Sequence, residues 1–419
     1  MLKRFLRPRS KFIDGPSEEK ATTLSSATPV NIPAKPDDGT QKIRPLRLAG
    51  MSWSHFLNDG GAFFLPGILP AVIRHLHQPL FMVGPIVASI YIGQILQPVF
   101  GVMADHFGGK IFAVAGLVLC VGAASLIGLS PNVWVLIGLV LLSGLGSTIF
   151  HPQALAAARS LSGQRHAQGM AVFLVGGELG RGFWPLVASV IVVHLGLPQI
   201  WLIAIPTALT IPWLLRIVPS QPARPVSKGS ISIRKHLRPF LLVVGFSAFR
   251  NFAVFGSIAF IPIMWHLRGG SLIQGAGIIS TLMVTGIIGQ LAGGTVADKW
   301  GRRHVLTASS VAMLILLPIL PHLAGAWIYI VAGLLGIACF STYSSTLVIC
   351  QDIFPENRAM GSGIALGFSN AIGAMGLFPL GYVASAMGIF SVFNIMAVAC
   401  VGMLIMSFTF TRDAHPAMH

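Results

Sequence analysis

The chain has 419 residues, of which 54% are hydrophobic and only 10% are charged, and its mean hydropathy is +0.78. Because a soluble domain carries about 25% charged residues, this composition excludes an ordinary water-soluble fold and indicates a helical protein that crosses a membrane many times. The formal net charge of +16 would suit nucleic acid, but the basic residues lie in a tail and in loops between apolar segments, so we expect no nucleic-acid partner.

The first 47 residues are polar, rich in Pro, Ser, Thr and Lys, and contain ten basic side chains. No apolar core follows the first charges, so we predict no cleaved signal peptide. We expect a disordered, basic tail on the cytoplasmic side of the membrane. The alternation of bulky apolar and basic residues before position 12 leaves open a contact with anionic lipid.

From about residue 48 onward the chain divides into about twelve apolar segments of roughly 18–28 residues, each long enough to cross a bilayer. A basic linker at 217–238 separates six of them from the other six. We therefore predict an all-α membrane protein with two six-helix bundles, 48–216 and 239–411, and a short C-terminus at 412–419. The predicted spans are 48–73, 80–103, 111–129, 133–156, 167–193, 197–216, 239–265, 272–296, 304–321, 326–349, 360–386 and 388–410.

A short motif that occurs twice relates the two bundles. Gly101-x-x-x-Asp105-x-x-Gly108 follows the second apolar segment, and Gly294-x-x-x-Asp298-x-x-Gly301 follows the eighth, 193 positions later (298 − 105). The same offset aligns Gln97 with Gln290, and an offset of 194 (379 − 185) aligns Pro185 with Pro379. We interpret each copy as a tight, glycine-permitted turn between two membrane helices within an internal duplication, which is common among secondary transporters.

The placement of Lys and Arg predicts the orientation of the chain. The tail, both motif copies, Arg159, Arg165 and the central linker fall on one side, whereas the opposite loops carry only Arg74 and Arg268. Because positive loops stay in the cytoplasm, we predict a multi-pass protein of the inner (plasma) membrane with both termini cytoplasmic.

Two six-span halves, each with this motif after its second span, resemble the major facilitator superfamily. The stretch from Gly176 to Pro185, GGELGRGFWP, resembles the fifth-span Gly/Pro motif of that superfamily, which is commoner in exporters. A narrower resemblance, to the fosmidomycin-resistance group, rests on four patches: Ser54–Asp59 with the Leu-Pro pairs up to Pro70, Phe150-His151-Pro152, Phe173–Gly177, and Phe249-Arg250-Asn251 with Pro262. The superfamily resemblance implies alternating access driven by an ion gradient. The chain differs from the group at two positions: the group has an amide residue where this chain has Glu178, and a small residue where this chain has Arg181. The substrate of the group is therefore not assigned to this chain.

Four charged side chains fall well inside apolar segments: Asp59, Glu178, Arg181 and Arg250. Inserting a charged side chain at mid-bilayer costs about 2.5–3.5 kcal/mol on insertion scales, so each of the four is expected to have a compensating partner or a functional role. His55 and Asp59 share one helical face, which suits proton coupling or, equally, a hydrogen bond that locks the helix to its neighbours.

Glu178 and Arg181 stand three apart and can form a mutually neutral pair. In the alternative, protonation of Glu178 frees Arg181 for substrate. Arg250 has no acidic neighbour within one turn and suits a carboxylate, phosphate or phosphonate, the alternative being an inter-helix pair with Asp59 or Glu178. Pro152, after His151, is expected to interrupt or bend the fourth span near its end.

These patterns give three groups of predicted site residues. Substrate contacts are predicted for Arg250, Arg181, Asn58, Asn251 and His151, and proton coupling for Asp59, Glu178 and His55. Conformational gating is predicted for Gly101, Asp105, Gly108, Arg159, Gly294, Asp298, Gly301, Arg302 and Arg303, with Arg159 pairing with Asp105.

The leading functional prediction is a monomeric, proton-coupled exporter of small anionic or drug-like molecules. Proton-coupled uptake of an organic or sugar acid by the same fold is the first alternative, and a transport-inactive membrane sensor is the second. We predict no enzyme activity, because the sequence has no phosphate-binding loop, nucleophile elbow or dinucleotide fingerprint. No metal site or cofactor is predicted either, because the four cysteines are scattered in apolar segments.

Overall fold

The structure is a computed structural model, and it describes residues 44–97, 99–100, 103, 109–219, 237–353 and 367–410. These residues form helices joined by short turns, and all of them belong to one compact unit, Gln41–His419. The predicted turn residues Gly101, Asp105 and Gly108, the predicted tail up to residue 43 and most of the central linker lie outside the described residues.

The α-helices of the described residues are numbered in chain order. They are α1 (Pro45–Phe63), α2 (Leu65–His75), α3 (Val83–Gly93), α4 (Gly109–Ser125), α5 (Val133–Leu161), α6 (His166–Leu195), α7 (Ala204–Ile217), α8 (Leu237–Leu267), α9 (Leu272–Trp300), α10 (Arg302–Ile319), α11 (Ala326–Ser341), α12 (Tyr343–Ile353), α13 (Ser369–Met375), α14 (Leu377–Met387) and α15 (Ile389–Thr409).

The number of membrane crossings agrees with the sequence. Among the described residues, 11 helical segments are long and apolar enough to cross a membrane, and the shorter apolar helix Leu80–Leu96 occupies the place of the second predicted span. Eleven long segments and this shorter one account for about twelve spans (11 + 1). The predicted fold class, an all-α membrane protein, is confirmed.

Local sequence explains where several helices begin and end. The first span is split into α1 and α2 at Phe64, because Pro66 has no amide hydrogen to donate to the preceding turn. Asn132 caps α5 by accepting hydrogen bonds from the amides of Trp134 and Val135, both at 3.0 Å. Gly301 ends α9 with φ +91°, a conformation that suits glycine, as expected for a tight turn in the second motif copy.

Close packing of α1 against α6 depends on glycines. A Cβ atom at Gly176 or Gly180 would clash with the backbone of α1, and one at Gly177 would clash with the ring of His55. Because these three positions lack side chains, the two helices approach closely enough for charged groups on one to reach the other.

The fourth predicted span differs from expectation. Helix α5 runs without interruption from Val133 to Leu161 with Pro152 inside it, so the prediction that Pro152 interrupts this span is wrong. Proline at this position removes the amide donor of the Thr148 carbonyl one turn earlier, and the helix nevertheless continues beyond it. Thr148 Oγ1 donates to the carbonyl oxygens of Gly144 and Gly93, at 2.9 and 3.1 Å, and so ties α5 to the end of α3.

The two halves of the chain meet through α6 with α9, α3 with α14, and α2 with α8 and α9. Glycines allow this approach too, because a Cβ at Gly84 would clash with the carbonyl group of Leu377 on the other half. Tyr91 and Phe255 stack across the boundary with ring centroids 3.7 Å apart. The contacts of Gly84 lie toward the end of the bundle that carries the turns after His75 and Met387.

Candidate functional site

A cavity of about 260 Å³ lies between the two halves. Its ionisable lining groups other than tyrosine all come from the first half: His55, His151, Glu178 and Arg181. Aromatic and aliphatic side chains dominate the wall contributed by the second half, among them Phe255, Ile258, Ile279, Met283, Phe340 and Tyr343. The cavity extends toward the end of the bundle that holds Pro45, because Leu155, near the end of α5, and Leu174, near the start of α6, also line it.

Asp59 and Arg181 form the closest ion pair of the site. The Nε and Nη2 atoms of Arg181 each donate a hydrogen bond to Oδ2 of Asp59, both at 2.8 Å. Asp59 is completely buried, whereas the Arg181 side chain is 27% exposed and reaches the cavity. The pair predicted between Arg181 and Glu178 also forms, but it is longer, with 3.4 Å between Nη1 and Oε1. Arg181 is therefore shared between two carboxylates, of which Asp59 is the nearer.

Two histidines complete the polar cluster around Asp59, and backbone carbonyls orient both rings. Nδ1 of His55 lies 2.9 Å from the carbonyl oxygen of Phe173, and Nδ1 of His151 lies 2.7 Å from that of Ser147. Because a carbonyl oxygen only accepts, each Nδ1 must carry a hydrogen and donate it. The Nε2 atoms of both rings therefore face the carboxylate of Asp59.

This arrangement brings three acceptors together. The two Nε2 atoms are 3.2 Å apart, His151 Nε2 is 3.2 Å from Oδ1 of Asp59, and His55 Nε2 is 3.4 Å from Oδ2. If both rings were neutral, these atoms would present lone pairs to one another with no hydrogen between them. A proton added to either Nε2 supplies a hydrogen to the two contacts of that atom and so relieves part of this conflict.

The ligand atoms of His55, Asp59 and His151 all lie within 4.8 Å of one another, so these three residues could also hold a metal ion. However, Arg181 already donates two hydrogen bonds to Asp59 and supplies the positive charge that the buried carboxylate needs. A metal ion at this place would therefore compete with Arg181 for the carboxylate of Asp59.

The predicted substrate contacts Asn58 and Asn251 are both buried and lie outside the cavity lining. They are 193 positions apart (251 − 58), the offset of the predicted internal repeat, which predicts equivalent places for them in the two halves. Asn58 Nδ2 donates to Asp59 Oδ1 at 3.0 Å and to Ser147 Oγ at 3.1 Å, which fixes the carboxylate. A substrate contact by either asparagine stays a prediction.

Arg250 is only 2% exposed and does not line the cavity, although α8 runs beside it. Its Nε and Nη2 donate to Oδ1 of Asn251 at 3.2 Å, and its Nη1 donates to the hydroxyls of Thr342 and Thr346. The ring of Tyr343 covers the guanidinium at 3.8 Å. The alternative ion pair with Asp59 or Glu178 is not formed, and substrate contact by Arg250 stays a prediction.

Sequence reasoning missed several residues that line the cavity. Tyr343 and Asn370 carry no charge and stand in no recognised motif, so no sequence signal identified them. Gln97 and Gln290 both line the cavity, and the repeat offset that aligns them was a usable signal. Polar residues that a duplication places equivalently in both halves are candidates for the shared surface between them.

The predicted gating residues that the structure describes, Arg159, Gly294, Asp298, Gly301, Arg302 and Arg303, lie near the Pro45 end of the bundle. Arg302 pairs with Asp352 at 2.7 Å, and the guanidinium of Arg303 lies 5.3 Å from the ring centroid of Phe408. Asp298 and Arg159 are exposed at the ends of α9 and α5, while Gly294 approaches Ser344 on α12. The predicted contact of Arg159 with Asp105 cannot be described because Asp105 lies outside the described residues.

A sequence model of the Major Facilitator Superfamily matches residues 51–376 and 252–419. The chain belongs to the major facilitator superfamily. It is 28% identical over 385 residues to the fosmidomycin resistance protein of Escherichia coli (strain K12), covering 85% of this chain and 91% of that protein. The predicted resemblance to the fosmidomycin-resistance group is thereby confirmed.

Two further relatives illustrate the range of the family. The chain is 25% identical to the uncharacterized MFS-type transporter YfnC of Bacillus subtilis (strain 168), covering 87% of this chain and 92% of the relative. It is 23% identical to the gentisate transporter of Corynebacterium glutamicum, covering 80% and 79%. These matched proteins are transporters rather than enzymes.

Solved structures of transporters share the fold. A mutant form of the nucleoside transporter NupG superposes with a TM-score of 0.73 at 16% identity, covering 87% of this chain and 98% of that one. A bacterial homolog of the human lysosomal transporter Spinster, in an inward-facing and occupied conformation, gives a TM-score of 0.72 at 14% identity, covering 88% and 97%. The chain is therefore a multi-pass membrane transporter by family and fold.

Proposed function

We propose that this protein is a proton-coupled secondary transporter that moves a small anion across the inner membrane by alternating access. One observation carries the proposal: Arg181 reaches the cavity while it binds Asp59, and Asp59 belongs to a cluster whose acceptors require a proton. A cation that is shared between the substrate space and a proton-binding carboxylate links the two ligands physically.

The coupling acts through the charge of the cluster. With neutral histidines, Asp59 and Glu178 contribute two negative charges against the single positive charge of Arg181. One added proton makes the summed charge of these side chains zero. It weakens the electrostatic attraction between Asp59 and Arg181, so the guanidinium becomes available to an anion. The titratable groups that face this cluster are His55 and Asp59 on α1, Cys120 on α4, His151 on α5, Glu178 on α6, and the phenols of Tyr91 and Tyr343.

The direction of transport depends on the sign of this coupling. Export in exchange for protons, the leading prediction from sequence, is supported by the similarity to a fosmidomycin resistance protein. Co-transport of proton and anion, the uptake alternative, is supported by the shared Arg181, because a proton on the cluster favours binding of the anion. The relationship to a gentisate transporter also suits an organic acid. Both candidates use the same residues and differ in what a proton gradient drives.

Orientation follows from charge in this proposal. The basic loops support a cytoplasmic position for the Pro45 end of the bundle, and in this proposal the cavity opens inward and both termini are cytoplasmic. The partners are the bilayer, the proton and the anion, and the protein works as a monomer without nucleic acid.

The test is proton flux in proteoliposomes that contain the purified full-length protein and a pH-sensitive dye. Fosmidomycin and a panel of organic acids are added outside under an imposed pH gradient. We expect at least one anion to move protons, with Asp59→Asn abolishing that flux and His194→Gln, which alters an exposed histidine at the end of α6, leaving it intact. The sign of the proton movement separates exchange from co-transport. Identical fluxes in the wild type and Asp59→Asn would refute the proposal.

A further inference from the structure

The cavity has two chemically different walls. Arg181 is the permanent cation among its lining residues, and it comes from the first half together with His55, His151 and Glu178. The second half contributes apolar and aromatic side chains, including Phe255, Ile258 and Met283, with neutral polar groups such as Asn370. A ligand that fills this space meets one positive group on one side and an apolar surface on the other.

The charge of Arg250 does not alter this balance, because the guanidinium is buried behind Tyr343. Four hydrogen bonds from its nitrogens end on neutral oxygens of Asn251, Thr342 and Thr346. Tyr343 presents its ring to the cavity and stacks on Phe340 with ring centroids 5.2 Å apart. The second half therefore offers π surface where the sequence had indicated a second cation.

Arg250 does, however, fix the orientation of a cavity-lining amide. Oδ1 of Asn251 accepts from Arg250, so Nδ2 of Asn251 donates to Oδ1 of Asn370 at 2.7 Å. Because that oxygen is occupied, the NH2 group of Asn370 remains as a donor, and it has no hydrogen-bond partner among the described residues. A chain of amides thus presents a hydrogen-bond donor to the cavity on the half opposite to Arg181.

Building on the proposed function, we propose that the substrate is a small monoanion with a flat apolar body, and that Asn370 is a specificity-determining residue for an oxygen on that body. Arg181, the one permanent cation among the described residues that line the cavity, matches one negative charge. The cavity of about 260 Å³ is slightly below the usual range of ligand pockets, which begins at about 300 Å³, so the body is compact. A doubly charged phosphonate would leave one charge without a partner in a low-dielectric site.

Equilibrium dialysis of radiolabelled probes against the full-length protein in lipid nanodiscs tests both parts. The probes are benzoate, its three monohydroxy derivatives, benzamide and methylphosphonate. We expect benzoate to bind at least tenfold more tightly than neutral benzamide or methylphosphonate. One hydroxybenzoate should bind roughly three- to tenfold more tightly than benzoate, the effect of a single neutral hydrogen bond.

Variants assign that gain to Asn370. Asn370→Ala and Asn370→Asp should each bring the preferred hydroxybenzoate to within about twofold of the affinity for benzoate; the aspartate keeps the oxygen that accepts from Asn251 and removes the donor. Asn394→Ala, at an exposed position on α15, should retain the preference and serves as the matched control.

Two results would overturn the inference. Tighter binding of methylphosphonate than of every benzoate would refute the substrate class, and an unchanged hydroxybenzoate preference in both Asn370 variants would refute the role of Asn370. Either result can occur while anions still drive proton flux, so these failures are distinct from failure of the proposed function.

Discussion

Among the described cavity-lining residues that contact the buried carboxylate of Asp59, Arg181 is the permanent cation, whereas the other two, His55 and His151, are histidines. It donates two hydrogen bonds to Asp59, a longer one to Glu178, and lies over the ring of Phe63 at 4.9 Å from its centroid. Such a cation has discrete alternative partners, which is the physical requirement for coupling two ligands.

The first prediction at this scale concerns the proton. In His151→Gln the ring nitrogen is replaced by an amide that can donate a hydrogen bond without taking up a proton. The acceptor conflict with His55 and Asp59 then disappears at every pH. Anion binding by the wild type should strengthen as pH falls and the cluster takes up a proton, and His151→Gln should flatten that profile.

Affinity of the anion for nanodisc-embedded protein at a series of pH values measures this effect. His194→Gln is the control and should keep the wild-type profile, because His194 is exposed at the end of α6. A wild-type pH dependence in His151→Gln would place the coupling proton elsewhere.

The second prediction concerns the ion pair itself. Arg181→Gln leaves the buried carboxylate of Asp59 without its guanidinium, and breaking a buried pair in this way costs about 3–5 kcal/mol. We expect a clear fall in the melting temperature of the purified protein in detergent. The double variant Asp59→Asn with Arg181→Gln should recover most of the loss, because no charge then remains unpaired. An additive loss in the double variant would contradict a direct pairing.

Sequence reasoning identified the charged residues but not their strongest partners. Glu178 and Arg181 were paired from their spacing on one helix, whereas the Asp59–Arg181 pair joins residues 122 positions apart. Their meeting depends on how closely α1 approaches α6, a property of packing that local spacing does not report. Asn370 and Tyr343 were missed for the same reason, because uncharged polar and aromatic residues are common throughout membrane helices.

At the scale of elements, glycines of α6 set the distance between α1 and α6. We expect Gly180→Ala to destabilise the protein by about 1–3 kcal/mol, because its methyl group would collide with the backbone of Phe56 and the helices would have to separate. The melting temperature and the anion affinity should both fall, since separation also weakens the contact of Asp59 with Arg181.

Gly138→Ala provides the matched control for this change. It adds the same methyl group within α5 at a position with no atom within 4 Å of the new carbon. Its melting temperature should stay at or slightly above that of the wild type, because alanine has the higher helix propensity. Equal losses in the two variants would mean that the α1–α6 contact has no special role.

Helix α5 shows why element boundaries could be predicted only in part. The apolar segment from residue 133 was recognised, and its start at Asn132 agrees with a side-chain cap. Its continuation past Pro152 to Leu161 was not predicted, because a proline removes one backbone hydrogen bond but does not show whether the helix resumes beyond it. Contacts between helices, such as the hydrogen bond from Thr148 to the carbonyl oxygen of Gly93, cannot be predicted from the sequence near Pro152.

At the scale of the whole molecule, the overall fold was the most predictable feature. Twelve apolar segments and one repeated motif were enough, because a bilayer permits few solutions other than bundled helices. Which end of the cavity is open could not be predicted from the sequence. In alternating access, one sequence adopts both the state that is open at one end and the state that is open at the other. That property depends on contacts between halves, such as the one at Gly84.

The last prediction tests these contacts. Gly84→Val should disfavour the observed state by about 1–3 kcal/mol, because its side chain would collide with Leu377 across the boundary. The equilibrium should then shift toward the state open at the opposite end, by roughly five- to 150-fold. Labelling of Leu155→Cys, at the open end of the cavity, by a membrane-impermeant maleimide should slow accordingly.

The native cysteines at positions 120, 339, 350 and 400 are buried, so background labelling should be low. Gly122→Val is the control, because no atom lies within 4 Å of its added carbon. If Leu155→Cys reacts at the same rate with and without Gly84→Val, the contact at Gly84 does not hold the observed state.

The unequal walls of the cavity have a consequence for how such a transporter can diversify. In the proposed mechanism, energy conversion depends on groups encoded in the first half of the gene, whereas the surface proposed to discriminate between cargoes is encoded largely in the second. Substitutions at positions such as Phe255, Met283 or Asn370 can therefore generate new selectivity while the coupling machinery stays intact. Laboratory evolution restricted to the second half should yield altered cargoes that are still driven by the same gradient.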